Sequence, residues 1–475
     1  MRPDTHRFWH SFGGPRLLAL IAIAVAGIVV IAAFAFAPHP STGGFDSASA
    51  TVVEGRALGN LSSSFFGVNV QEVAVGGPAL AARVNATPLT LFRFSPNGEA
   101  TDQVAALTYN SSGFAGPTLG FTDPEFVAWC EALHCHSVMM VPAEIDNPSI
   151  AVATVAYVEN TLGFHPTYWA IGNEPQQWTH FGIPWLDWRD SDTSTPSPVQ
   201  YAGEVLVYAQ ALRALDPSIQ LIGLESSVGG TQAKAWLQNV TAVAGPYLAA
   251  VAYHAYPGGT GSAPGSLAQF YSDLQNPTSF PGNYPASVGI VRAACPSCHL
   301  QVFVDEFDGA LGGEFKKDLV SYADAVIVAA GLIQAAREGV PHVLYFDLAD
   351  LDPNLPYGML LSGGTPRPTY LLYSQLLANL TLGQVHASSL AGAGGGNYSL
   401  YVTGTTASSL FVVNTNLTEG IRLTLPTAFL HVPGGTAWSW SPSEASPVVQ
   451  PFQGQPLAPT WTVPPQGMLL LTLPT

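Results

Sequence analysis

From about residue 64 to 375 the chain alternates short apolar runs with longer amphipathic stretches. The apolar runs are Phe65–Val70, Leu89–Phe94, Ser137–Pro142, Tyr168–Gly172, Gln220–Leu224, Ala249–His254, Leu300–Asp305 and His342–Asp347. They are continuously apolar and rich in β-branched and aromatic residues, the pattern of parallel strands covered on both faces. Between them, Asp123–Leu133, Ile150–Leu162, Pro198–Leu215, Thr231–Val243 and Leu319–Glu338 carry helical periodicity. Asp123-Pro124-Glu125 places an N-cap, a first-turn proline and an early acid at one helix start. This alternation predicts an α/β fold, a (β/α)8 TIM barrel over residues 61–375. A doubly wound sheet is the alternative, but it seldom has so many regular units.

The period changes near residue 376. Tyr398–Thr403, Leu410–Asn414, Arg422–Leu425, Thr436–Trp440 and Met468–Leu473 are short runs separated by Gly, Pro, Asn and Ser. They predict an antiparallel β-sandwich over 376–475. Residues 50–60 precede the barrel and are expected to add a strand to that sandwich. At the other end, Leu17–Ala37 is free of charge and long enough to span a bilayer. Arg2, Arg7 and Arg16 precede it, and the next basic residue is Arg56. The positive-inside bias predicts a cytoplasmic stub at 1–16, a membrane anchor at 17–37 and a linker at 38–49. A cleaved signal peptide is the competing reading, since Ala33-Phe34-Ala35 and Ala35-Phe36-Ala37 resemble cleavage sites. Either way the body is expected on the extracellular face of the cell membrane or secreted.

Composition narrows the partners. The 475 residues are 47% hydrophobic and only 10% charged, with a formal net charge of −17. An anionic surface argues against nucleic acid and anionic lipid as partners. Asn60, Asn85, Asn110, Asn239, Asn379, Asn397 and Asn416 each open a glycosylation sequon, in keeping with export. The four cysteines fall as two close pairs, Cys130/Cys135 and Cys295/Cys298. In an oxidising exterior each pair reads as a local disulfide, with free thiols or a zinc or redox centre as the alternatives.

The candidate chemistry lies at the ends of the apolar runs. Tyr168-Trp169-Ala170-Ile171 stops abruptly in Gly172-Asn173-Glu174-Pro175, and Val302-Phe303-Val304 ends in Asp305-Glu306. A buried strand that delivers a carboxyl to its C-terminal end places it where barrel enzymes act. Two such glutamates suit cleavage of a glycosidic bond, which needs one protonated and one ionised carboxyl. Glu174 is assigned as acid/base and Glu306 as nucleophile. Asn173 is placed to contact the sugar, and Arg93 to keep the nucleophile ionised. His254 and Tyr256 follow their strand toward Glu306. Trp178 offers an aromatic face for a sugar ring, although an ordinary packed loop explains it equally. No metal or organic cofactor is implied, because the two carboxyls suffice.

With these residues assembled, the chain resembles the retaining glycoside hydrolases built on (β/α)8 barrels. Their acid/base sits in an Asn-Glu-Pro context, and their nucleophile ends a later strand. Within that clan it is most similar to family 79, the β-glucuronidase and heparanase-like enzymes. The segment from Arg93 through Phe94-Ser95-Pro96-Asn97-Gly98 to Thr101-Asp102 is similar to that family's Arg-Phe-Gly-Gly-type turn. The resemblance implies that the backbone at Gly312 and Gly313 holds a uronate carboxylate. The family's tyrosine before that glycine pair is Leu311 here. Xylosides, arabinosides and glucosides therefore stay open beside a β-glucuronide as carbohydrate substrates, as does a non-catalytic carbohydrate-binding role on the same scaffold.

Overall fold

The structure, a computed structural model, describes residues 47–70, 89–94, 123–143, 147–177, 196–257, 267–309, 321–349, 357–451 and 457–474, with part of 82–86 and without 277, 362, 394, 426 and 431–433. The apolar segment Leu17–Ala37 lies outside the described residues. Among the described residues, no helix is long and apolar enough to cross a membrane.

Eight parallel strands close into a barrel. They are β2 (Phe66–Asn69), β3 (Leu91–Phe94), β4 (His136–Val141), β5 (Tyr168–Ile171), β6 (Leu221–Ser226), β7 (Ala250–Ala255), β8 (Gln301–Phe307) and β9 (Val343–Tyr345). Each expected run supplies one of them, so the TIM barrel holds and the doubly wound sheet is excluded. The helices around it are α1 (Asp123–Leu133), α2 (Pro148–Ala156), α3 (Pro198–Leu215), α4 (Lys234–Ala244), α5 (Leu267–Asp273), α6 (Tyr284–Ala294), α7 (Tyr322–Glu338) and α8 (Pro368–Asn379). Helix α3 starts at a capping box, in which Ser197 and Gln200 satisfy each other's backbone N–H. Helix α7 stops at Gly339, whose φ of 75° only glycine adopts without cost. The Cys130–Cys135 disulfide closes the turn between α1 and β4. The Cys295–Cys298 disulfide closes the one between α6 and β8.

The lumen is packed, not hollow. Leu91, Val138, Met140, Ala170, Ile222, Ala250, Ala252, Phe303 and Leu344 form one buried cluster drawn from seven of the eight strands. They fill the barrel below its C-terminal mouth and exclude water from the floor of the site above. The outward-facing residues, such as Phe92, Trp169, Leu224 and Val304, join the larger core under the helices.

The second layer is β-rich, as expected, but its strands are hydrogen-bonded into one sheet and are not all antiparallel. It is one continuous sheet of nine strands in the order β15-β14-β17-β12-β11-β10-β1-β13-β16. These are β1 (Ser47–Leu61), β10 (Gly383–Ala391), β11 (Asn397–Thr403), β12 (Ala407–Asn414), β13 (Gly420–Thr424), β14 (Thr436–Trp440), β15 (Val448–Pro451), β16 (Thr460–Val463) and β17 (Met468–Pro474). The physical reason is β1. It pairs antiparallel with β10 and parallel with β13, so it joins two halves that would otherwise be separate sheets. Register shifts after Glu54 and after Ala57 bend it. The two ends of the sheet share a core of Ala50, Val52, Leu423 and Val463 with Leu410, Val412 and Leu471. The sheet is tied to the barrel through α7, where Tyr322 stacks edge-on with Trp440 at 4.8 Å and donates to the Trp440 carbonyl at 2.9 Å.

Candidate active site

Strand alternation sends every second side chain into the lumen. On β3 that rule takes Leu91 and then Arg93 inward. On β7 it takes Ala250, Ala252 and then His254. Two strands break the rule at the mouth. On β6 the pairing with β7 steps from Ile222/Ala250 to Glu225/Ala252, so β6 carries one extra residue. On β8 the pairing steps from Tyr253/Val304 to His254/Glu306, which leaves Asp305 as the extra residue. Such bulges re-aim side chains beside functional sites. Here they turn Glu225 and Glu306 toward the lumen, where simple alternation would have aimed both at the helices.

The residues meet around Arg93, which is completely buried. Its Nη1 donates to Glu306 Oε1 at 2.9 Å and to Asn69 Oδ1 at 2.6 Å. Its Nη2 donates to Asn173 Oδ1 at 2.9 Å and to Glu225 Oε2 at 2.6 Å. Its Nε donates to Glu225 Oε1 at 3.3 Å, which completes a fork on that carboxylate. Burial opposes its charge, but Glu225, Glu306 and Asp305 outweigh burial and hold its pKa above the usual range. Asn69, at the end of β2, donates to the carbonyls of Asp305 at 2.8 Å and Tyr345 at 3.2 Å. Because Arg93 only donates, it fixes Asn173 with its oxygen inward and its amide N–H2 turned away.

Glu306 accepts on both oxygens. Arg93 holds Oε1, and the Tyr256 hydroxyl donates to Oε2 at 2.8 Å. Burial, then the Glu306 charge, raise the Tyr256 pKa, so it stays a hydroxyl donor. Glu174 sits in a tighter backbone. Gly172 has φ 67° and Glu174 itself has φ 41°, an uncommon conformation for a side-chain-bearing residue and one that gathers at functional sites. The Glu174 N–H donates to the Glu225 carbonyl at 3.0 Å, which locks this bend onto β6. His254 Nδ1 lies 2.5 Å from Glu174 Oε1 and 3.1 Å from Glu306 Oε2. Burial lowers the His254 pKa to about 4, so the imidazole is neutral at physiological pH. Burial pushes the Glu174 carboxyl up to about 7, with Arg93 opposing the rise and Glu225 adding to it. One oxygen of Glu174, one of Glu306 and one ring nitrogen of His254 all lie within 4.8 Å of one another. That spacing could accept a cation, but the Arg93 guanidinium already brings positive charge to the same carboxylates.

Of the residues expected from sequence, Arg93, Asn173, Glu174, His254, Tyr256 and Glu306 converge on one buried site. Trp178, Gly312 and Gly313 lie outside the described residues. Asn69, Glu225 and Asp305 join the site without being among the residues expected from sequence. Glu225 has a legible signal, being a strand-end carboxyl of the same kind as Glu174 and Glu306. Asn69 has no signal beyond its place at the end of an apolar run. Arg93 is the hub, and its loss is predicted to be severe. Arg93→Ala leaves buried carboxylates uncompensated and is expected to cost about 3–5 kcal/mol of stability, read as a fall in thermal or urea midpoint. Arg93→Lys keeps the charge but not the fork, and should recover only part of that loss.

The whole architecture has known counterparts. The chain is similar to AbfB, a family 51 α-L-arabinofuranosidase from Bifidobacterium longum, with TM-score 0.68 and 15% identity over 90% of this chain and 99% of that one. It is similar to the α-L-arabinofuranosidase from Thermotoga maritima, with TM-score 0.67 and 12% identity over 90% of this chain and 100% of that one. It is also similar to a family 44 xyloglucanase from Paenibacillus polymyxa, with TM-score 0.63, 12% identity and the same coverage. At these identities the likeness establishes the fold of a barrel with an attached β-rich layer. No protein-family model matches the chain, and no curated protein sequence matches it.

Proposed function

We propose that this protein is a retaining glycoside hydrolase, with Glu174 as acid/base and Glu306 as nucleophile. The observation that carries the reading is the spacing of their carboxyl oxygens, within 4.8 Å at the mouth of the barrel. Retaining enzymes hold the pair about 5–5.5 Å apart, whereas inverting ones leave roughly 6.5–9.5 Å for a water. The electrostatics fit the two roles. Glu174, raised to about 7, still carries a proton to give to the departing oxygen. Glu306, held by the Arg93 guanidinium and the Tyr256 hydroxyl, is stabilised as the anion that attacks the anomeric carbon. Glu174, once deprotonated, then takes a proton from the water that releases the sugar.

The substrate is proposed to be an extracellular glycan or glycoside. An arabinofuranoside is favoured by the similar solved structures, two of which are named α-L-arabinofuranosidases. A β-glucuronide is favoured by the sequence resemblance to family 79. The apolar segment Leu17–Ala37 is read as the anchor or signal that takes the enzyme outside. Proton NMR of the product, recorded within minutes of mixing, tests the stereochemistry. The sugar is expected to appear first with the anomeric configuration of the substrate; initial appearance of the opposite anomer would sink the double-displacement reading.

A further inference from the structure

Beneath the catalytic pair lies a second pair of carboxyls that the proposed reaction does not use. Glu225 and Asp305 are both fully buried, and their oxygens and His254 Nε2 lie within 4.8 Å of one another. Glu225 takes the two-pronged fork of Arg93, at 2.6 and 3.3 Å. Asp305 is different. The nitrogens nearest to it are His254 Nε2 at 3.7 Å and Arg93 Nε at 3.9 Å, both too far for a hydrogen bond, and no N–H or O–H donor reaches either of its oxygens. An ionised carboxylate without donors is not tolerated in a dry interior. A protonated one is, provided its hydroxyl finds an acceptor. The Glu225 carboxyl stands beside it, with an oxygen within 4.8 Å of one of Asp305.

We propose that Glu225 and Asp305 act as one unit bearing a single negative charge and one shared proton, and that this unit positions Arg93 for its contacts with Glu306 and Asn173. The charge count favours such a unit, because it lowers the excess of negative charge around Arg93 from two to one. One guanidinium cannot neutralise Glu306, Glu225 and Asp305 together, and the imidazole of His254 is neutral. Sharing a proton removes one of the three charges without loosening the fork. The bulges explain how two carboxyls come so close. On β8 the extra residue is Asp305 itself, and on β6 the extra residue turns Glu225 inward to meet it. The ionisable groups facing the pair are Arg93 from β3, Glu174 after β5, His254 from β7 and Glu306 from β8. Glu225 and Asp305 touch no reacting atom and are positioning residues. Burial, and next the Glu225 charge, raise the Asp305 pKa well above the carboxylate range, in agreement.

The unit predicts non-additivity, because either carboxyl can carry the charge when the other is neutralised. Two arms test it, and only the kinetic arm rests on the proposed activity. In the first arm, infrared spectra of the wild-type protein at pH 8 are expected to show a protonated-carboxyl band that Asp305→Asn removes. An unchanged spectrum in Asp305→Asn would overturn the shared proton even if no sugar substrate were found. In the second arm, kcat/KM on p-nitrophenyl α-L-arabinofuranoside, or on whichever aryl glycoside is cleaved, is followed against pH. Glu225→Gln and Asp305→Asn are each expected to lose about tenfold with the basic limb in place. The double variant is expected to lose on the order of 10³-fold, with its basic limb displaced about one pH unit downward as Glu174 loses a neighbouring negative charge. Losses that simply multiply, with an unmoved limb, would reduce the pair to a packing role. A limb displaced as far by Glu225→Gln alone would place the whole charge on Glu225. If the double variant does not fold, the spectra and the two single-variant profiles still decide between these outcomes.

Discussion

Replacing Glu306 with glutamine is expected to abolish turnover while leaving the fold intact. The amide is nearly isosteric. Its oxygen can still accept from Arg93 Nη1, and its N–H2 can donate to the Tyr256 hydroxyl, so the contacts at 2.9 and 2.8 Å survive with altered polarity. What vanishes is the anion proposed to attack the anomeric carbon. Loss of a covalent nucleophile removes a whole reaction path, and the drop in kcat should be on the order of 10⁵-fold. The shorter Glu306→Ala adds a second signature. It opens space for azide, which is expected to attack in place of the carboxylate and release a glycosyl azide of inverted configuration. Unchanged turnover in Glu306→Gln, measured beside an unchanged circular dichroism spectrum, would remove Glu306 from the mechanism.

Glu174 should fail differently. The Glu174→Ala variant lacks the proton donor, so its loss depends on the leaving group. For alkyl glycosides kcat is expected to fall about 10³–10⁴-fold, whereas a p-nitrophenolate needs little protonation and its departure step should be nearly as fast as in wild type, leaving the water attack that lacks its base to limit turnover. The pH dependence carries its own sign. Glu174 works as an acid only while protonated, so kcat/KM should decline as pH rises through about 7. Stability follows the same proton. The native state keeps it up to about 7, whereas the unfolded chain releases it near the ordinary glutamate value of 4.5. The folded state therefore loses roughly 3 kcal/mol relative to the unfolded chain as pH rises across that window. Glu174→Gln removes the titrating group. Thermal midpoints should show the variant gaining on wild type at pH 8 and matching it near pH 4.

Much of this site is legible in the amino-acid sequence. The barrel is legible because parallel strands buried on both faces must be continuously apolar, and all eight runs have that character. Arg93 and His254 are legible because β3 and β7 alternate without interruption. Glu174 and Asn173 are legible because Gly172 and Pro175 bracket an abrupt strand end. The bulges are not. A period-two reading of β8 sends Phe303 and Asp305 inward and turns Glu306 away, and nothing in Val304-Asp305-Glu306-Phe307 marks which residue is extra. The same holds on β6, where Leu224 joins the outer core and Glu225 the lumen. Bulges are set by the pairing of neighbouring strands, information that one strand's sequence does not hold. For a similar reason the strand pattern predicts the β-rich layer but not that one hydrogen-bonded sheet of nine strands builds it, since the double role of β1 depends on partners more than 300 residues away. Trp178, Gly312 and Gly313, the residues proposed to choose the substrate, lie outside the described residues.

The most direct test of the central claim is release of p-nitrophenol from a panel comprising the α-L-arabinofuranoside, β-xyloside, β-glucoside and β-glucuronide. Wild type, Glu174→Ala and Glu306→Ala are assayed side by side, with azide added to both variants. The account predicts that wild type hydrolyses at least one member, that Glu306→Ala is silent on it without azide, and that azide traps a glycosyl product from each variant. A hydrolysis that persists in Glu306→Ala, or a wild type inert toward every member and toward oligosaccharides of the same sugars, would contradict it.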